Sequence, residues 1–178
     1  EKFGNGKLMA TSRQSIEVPG IAYENIPAAI EFAEAHDLHF GGTGAKVRPI
    51  TACKGTTCVF GNIDTQALAK VLHDKFYIGM ADVKLPHKFK ICVGGCPNNC
   101  AKPSLNDLGI IGQRVPMVDY TKCRGCKKCQ VVESCPIKIA QVVDGKISID
   151  PNACNNCGRC AGKCPFGAFE EYQYGFKV

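Results

Sequence analysis

The chain has 178 residues, 45% of them apolar, a formal charge of +6 and thirteen cysteines. That length carries one or two cored domains; no run of about eighteen apolar residues exists to span a membrane, and the start EKFGNGKLMA has neither the charged nor the apolar region of a secretory signal. The positive charge has no nucleic-acid signature, because no stretch interleaves Lys and Arg with aromatics.

From the N-terminus, which lacks an initiating Met and is expected to be processed or trimmed, residues 7–19 predict extended structure ended by Pro19-Gly20. Asn25 is placed as an N-cap, with Pro27 in the first turn of a helix reaching about His36 and an apolar stripe of Ile26, Ala29, Ile30 and Ala33. The GGTG at 41–44 predicts a loop, and VRPITA at 47–52 a short strand leading into Cys53. Asp64 is expected to cap a second helix whose stripe is Leu68, Val71, Leu72 and Phe76, a packing face by its spacing.

Residues 88–93 predict a strand. Its alternation puts Lys88 and Lys90 on one face and Phe89, Ile91 and Val93 on the other. Taken alone the two lysines are a solvated face; six residues before GCPNNC they suggest an anion pocket. A Gly-rich segment at 107–112 closes this α+β block.

From about residue 117 the chain repeats itself. VDYTKCRGCKKC at 118–129 matches IDPNACNNCGRC at 149–160 at an offset of 31 residues, and each copy ends in Cys-Pro, at Cys135-Pro136 and Cys164-Pro165. Such self-similarity marks a duplicated unit.

The cysteines pose the main chemical question. A secreted chain would pair them as disulfides, whereas a reducing compartment leaves them for metal. The odd count and the CxxC spacing, poor for bridging, favour metal and a cytoplasmic, anaerobic setting. Cys123, Cys126 and Cys129, and again Cys154, Cys157 and Cys160, sit at i, i+3, i+6, so three thiolates can face three corners of a cube. Zinc favours separated CxxC pairs instead.

Residues 118–170 resemble the bacterial two-cluster ferredoxins. The resemblance implies crossed ligation, with Cys123, Cys126, Cys129 and Cys164 holding one [4Fe–4S] cluster and Cys154, Cys157, Cys160 and Cys135 the other. Five residues between Cys129 and Cys135, where three are usual, lengthen one loop. Each cluster with its thiolates brings roughly two negative charges, offsetting most of the excess positive charge.

The remaining motifs, TACKGTTC and GGCPNNC, resemble the siroheme sulfite and nitrite reductase family, most closely its small anaerobic types. Cys53 and Cys58 have four residues between them, where the family more commonly has five. The resemblance implies that Cys53, Cys58, Cys96 and Cys100 hold a third [4Fe–4S] cluster. It further implies that Cys100 is also the axial ligand of siroheme, with Asn98 and Asn99 in the cofactor loop. Arg13, Arg48, Lys88 and Lys90 match the family's anion-binding positions, where guanidinium forks and ammonium groups hold an oxyanion or the macrocycle's carboxylates. Cys92 is left over, as a small buried hydrophobe.

The expected fold is α+β. It comprises a half-unit of the siroheme reductase fold, a mixed sheet with helices, plus a ferredoxin-like domain. The segments are 1–44 (a half-repeat, clipped at its front), 45–116 (siroheme and cluster binding), 117–170 (the inserted ferredoxin module) and 171–178 (the start of the resumed siroheme domain). The implied activity is six-electron reduction of sulfite to sulfide, with electrons from a donor protein or subunit. Nitrite is the alternative substrate, and an electron carrier without siroheme the alternative role. One half-unit alone implies a homodimer or a multi-subunit complex; neither nucleic acid nor a membrane is expected as partner.

Overall fold

The computed structural model describes all 178 residues. The architecture is mixed α+β, and the chain divides into two compact units that interleave along the sequence. The first comprises Glu1–Thr51 with Ala69–Ile91, the second Ala52–Leu68 with Cys92–Val178. No helix is long and apolar enough to cross a membrane.

In the first unit, β1 (Met9–Ala10) and β2 (Ile16–Glu17) form a small antiparallel hairpin, where a single extended stretch was expected. Turn chemistry causes the reversal. Gln14 adopts the left-handed region at φ 59°, and the Thr11 and Ser15 hydroxyls are hydrogen-bonded at 2.7 Å. Helix α1 (Ile26–Glu34) buries Ala29 and Ala33 and ends short of the expected His36. Asn25 does not cap it through its side chain. A preceding 3₁₀ turn, Tyr23–Asn25, already holds that residue in the helical region, whereas a capping residue is extended.

Helix α2 (Thr65–Leu72) runs on into a wide π-helical turn, His73–Ile78. Asp64 Oδ1 accepts the Ala67 amide at 3.0 Å and the Thr56 hydroxyl at 2.7 Å, so the expected cap is present. The buried face is displaced from the expected stripe. Thr65 and Ala69 are its fully buried positions, and Val71 is 61% exposed. The reason is polar: the Thr65 hydroxyl reaches the Cys53 carbonyl at 2.7 Å and rotates that face inward.

The second unit contains most of the main sheet, in the order β3-β4-β5-β8. Its strands are β3 (Thr51–Ala52), β4 (Ile91–Gly94), β5 (Leu108–Met117) and β8 (Glu171–Lys177). The strand expected at 88–93 begins only at Ile91, and its alternation does not hold. Cys92 is as buried as Ile91 and Val93, while Phe89 is 37% exposed. Lying between β3 and β5, this strand is buried on both faces and needs no polar side. The Gly-rich segment at 107–112 is the first half of β5.

Between β5 and β8 lies the duplicated unit, with α3 (Gln130–Ser134) and the hairpin of β6 (Ala140–Val143) and β7 (Lys146–Ile149). Its core is Val131, Ala140, Ile147, Ala168 and Phe169. Met117 pairs with Glu171, so the chain leaves the sheet and returns to it side by side.

Candidate metal centres

None of the thirteen cysteines is paired in a disulfide. Cys123 and Cys129 of the first repeat, Cys160 of the second, and both Cys-Pro cysteines pack on the core of Val131 and Phe169. Backbone returning through β6, β7 and the Ala168–Phe169 turn therefore interleaves the two repeats. One cavity is lined by Cys135, Cys154, Cys157 and Cys160 among apolar neighbours such as Val131 and Ile139. Three of these thiols belong to the second CxxCxxC; the fourth comes from the first Cys-Pro.

The electrostatics of that set follow from the same geometry. Burial, followed by Cys157, Cys154 and Cys135, pushes the Cys160 thiol up to about 11. Burial likewise raises Cys154, with Cys157 and Cys135 adding to it. At Cys135 burial acts upward, but the amides of Ala140, Ile139, Ile137 and Lys138 outweigh it and lower the thiol overall. Two thiols raised by burial and by their thiol neighbours, beside a third ringed by amides, fit a polynuclear cation core that compensates thiolate charge. In the first repeat, Cys123 Sγ accepts the Ile147 amide at 3.3 Å.

A separate thiol set lies in the loops before α2 and after β4. The Cys53 amide donates to the Val93 carbonyl, and the Gly95 amide donates to Cys53 Sγ at 3.0 Å. Two glycines make that approach possible: a Cβ on Gly95 would lie 2.7 Å from the Gly55 Cα. Burial raises the Cys96 thiol, the Asn98 amide opposes it, and Cys100, Cys53 and Cys58 add to the rise. The other three thiols thus stand within electrostatic reach of Cys96, and Cys100 is the exposed member. Cys92 stands apart, fully buried with its Sγ on the Ala101 carbonyl at 3.3 Å.

Asn98 and Asn99 are engaged by the protein itself. Asn98 Oδ1 accepts from Arg159 at 3.4 Å, and the Asn99 amide donates to the Ser104 hydroxyl at 2.7 Å. The four basic residues expected at the site all belong to the first unit. Arg13 donates to the carbonyls of Pro49 and Ile91, at 2.9 and 3.3 Å. Arg48 donates to the Gly42 carbonyl and keeps a buried Nε without an acceptor. Lys88 is exposed and Lys90 half-buried.

Arg114 and Arg159, not singled out by spacing, both meet the Cys154–Cys160 loop. Arg114 donates its amide to the Asn156 carbonyl and bridges Cys157. Arg159 had one available signal, since it falls 31 residues after Lys128 and each repeat has a cation there.

Residues 43–167 match the family model described as the nitrite and sulphite reductase 4Fe-4S domain. The chain is 34% identical over 139 residues to a coenzyme F420-dependent sulfite reductase of Methanocaldococcus jannaschii, covering 78% of this chain and 22% of that protein. It is 35% identical over 150 residues to one of the subunits of the anaerobic sulfite reductase of Salmonella typhimurium, covering 76% of this chain and 42% of that subunit. The chain thus spans less than half the length of either relative. Its fold is that of dissimilatory sulfite reductase I, with a TM-score of 0.66 at 22% identity, over 99% of this chain and 47% of that one.

Proposed function

The chain belongs to the nitrite and sulphite reductase 4Fe-4S domain family, and from that premise we propose that it is the siroheme-binding part of a sulfite reductase fed through its own ferredoxin module. The observation that carries the reading is the cavity shared by Cys135, Cys154, Cys157 and Cys160, a donor set whose chemistry fits an iron–sulfur cluster. Cys123, Cys126, Cys129 and Cys164 hold a second cluster, and Cys53, Cys58, Cys96 and Cys100 a third. Segment 1–44 is the half-repeat, 45–116 serves siroheme, 117–170 is the electron-transfer insertion, and 171–178 resumes the siroheme domain.

Siroheme, when bound, supplies the iron at which an oxyanion is reduced, and the exposed Cys100 is the thiolate offered to it. Arg48, with a buried Nε that has no acceptor, donates to anionic oxygens. Lys88 and Lys90 neutralise those oxygens and hold protons at Nζ for their loss as water. Arg13 clamps the Pro49 and Ile91 backbone while adding to the positive field. Sulfite to sulfide takes six electrons and releases three oxygens as water.

Sulfite is the proposed substrate, since both relatives named above are sulfite reductases; nitrite shares the charge and the family. The setting is cytoplasmic and anaerobic. The partners are an electron-donor protein and either a second copy or further subunits. The visible spectrum of anaerobically purified full-length protein tests the reading. Strong Soret and red bands are expected, with faster steady-state turnover of sulfite than of nitrite. A broad brown shoulder alone would reduce the role to electron transfer.

A further inference from the structure

The two repeats are equivalent in sequence but not in surroundings. At the cation position of the first repeat, Lys128 reaches Glu133 at 4.0 Å, within its own repeat, and is 86% exposed. At the same position of the second, Arg159 lies 4.5 Å over the Phe60 ring and donates to Asn98 Oδ1 at 3.4 Å. Phe60 follows Cys58 by two residues and Asn98 lies between Cys96 and Cys100. One guanidinium therefore touches both loops of the Cys53–Cys58–Cys96–Cys100 set.

Strand β5 makes the same connection by an independent route. At Gly112 the strand is so close to Gly95 that a Cβ would lie 2.5 Å from the Gly95 carbonyl oxygen. One residue on, Gln113 accepts from the Asn156 side chain at 3.1 Å, and the Arg114 amide donates to the Asn156 carbonyl at 2.8 Å. A Cβ on Gly158 would meet the Arg114 side chain at 2.5 Å, so only glycine lets the second loop seat there. Three consecutive residues of one strand thus separate the residue before Cys96 from the Cys154–Cys157 loop.

We propose that Arg159 is a positioning residue. It fixes the Cys154–Cys160 loop on the Phe60 and Asn98 loops, so that the Cys135–Cys154–Cys157–Cys160 site exchanges electrons with the Cys53–Cys58–Cys96–Cys100 site. The Cys123–Cys126–Cys129–Cys164 site then faces the donor. The exchange moves one electron, oxidising the first site as the second is reduced, with no bond made or broken and no proton moved. A low-potential one-electron donor protein replaces the electron. The seating of the loop decides the rate because tunnelling falls steeply with separation. A planar guanidinium lies flat on a ring while its edge N–H groups donate in fixed directions, a geometry that a compact ammonium does not reproduce.

This inference rests on the iron–sulfur reading above, and the test separates the two. Full-length protein, R159A, R159K and K128A are loaded with iron and sulfide anaerobically, matched for iron content and reduced with dithionite. Electron paramagnetic resonance then reads the spin–spin interaction between sites. The wild type is expected to show it, R159A to lose most of it, R159K to recover only part, and K128A to match the wild type. Unchanged interaction in R159A and R159K, or an equal loss in K128A, overturns the positioning role alone. Wild-type protein that takes up no iron–sulfur clusters overturns both readings.

Discussion

The guanidinium of Arg114 lies over the ring of Tyr172, 4.1 Å from its centroid. Arg114 is on β5 and Tyr172 on β8, so the contact joins the strand that precedes the duplicated unit to the one that follows it. Tyr174 supports the same guanidinium from 5.3 Å. The inserted module therefore hangs from a pair of strands locked together by side chains as well as by the ladder from Ile111 to Met117.

Arg114→Met keeps the apolar stem and removes the charge. The expected loss is about 1 kcal/mol in urea unfolding followed by circular dichroism, the scale of a partly buried cation–π contact. Tyr172→Leu should cost at least as much, because its hydroxyl also accepts the Gly162 amide at 3.1 Å. Combined, the two changes should cost less than their sum; strict additivity would deny the contact any weight.

Cys92 and Cys135 should separate packing from ligation. Cys92→Ala is expected to cost about 1 kcal/mol, the scale of a small buried deletion, while iron content is unchanged. Cys135→Ser should lose about a third of the iron under the three-cluster reading. Equal iron in both variants would remove Cys135 from the ligand set.

Asp64 carries a pH dependence of known sign. The Ala67 amide and the Thr56 hydroxyl hold its carboxyl below the ordinary 3.8, with the Gln66 amide acting the same way against desolvation. A depressed folded value means that its contribution is present above the unfolded value and is lost as pH falls through the folded one. Unfolding midpoints taken from pH 6 down to about 2 should therefore fall more steeply in the wild type than in D64N. Parallel curves would show that the cap is neutral to ionisation.

Lys88→Met and Lys90→Met test the proposed anion role without touching a thiol. Each is expected to lower kcat/KM for sulfite about tenfold or more, on the scale of one lost electrostatic donor, with iron content and visible bands preserved. Full turnover in the double variant would leave the two ammonium groups as a solvated face.

Local features were legible because local chain geometry decides them. The CxxCxxC spacing and the Asp64–Ala67 cap each span only a few residues, and the structure contains the cap as expected. The Asn25 cap was not legible, because a 3₁₀ turn upstream had already set that residue's backbone. Nor was the buried face of α2. The Thr65 hydroxyl finds the Cys53 carbonyl twelve residues away, and one polar contact outweighed the preference of Val71 for burial.

By itself, then, the sequence determined which residue types recur, at what spacing, and hence that iron–sulfur chemistry was the expectation. Only the tertiary structure decided that Arg159 rather than Lys128 reaches Phe60 and Asn98, and that the Cys154–Cys160 loop seats on β5 through Arg114 and Asn156. Those outcomes depend on where β5 and β8 return the chain. Contacts across such separations are fixed by the packing of the whole fold, which no window of residues contains.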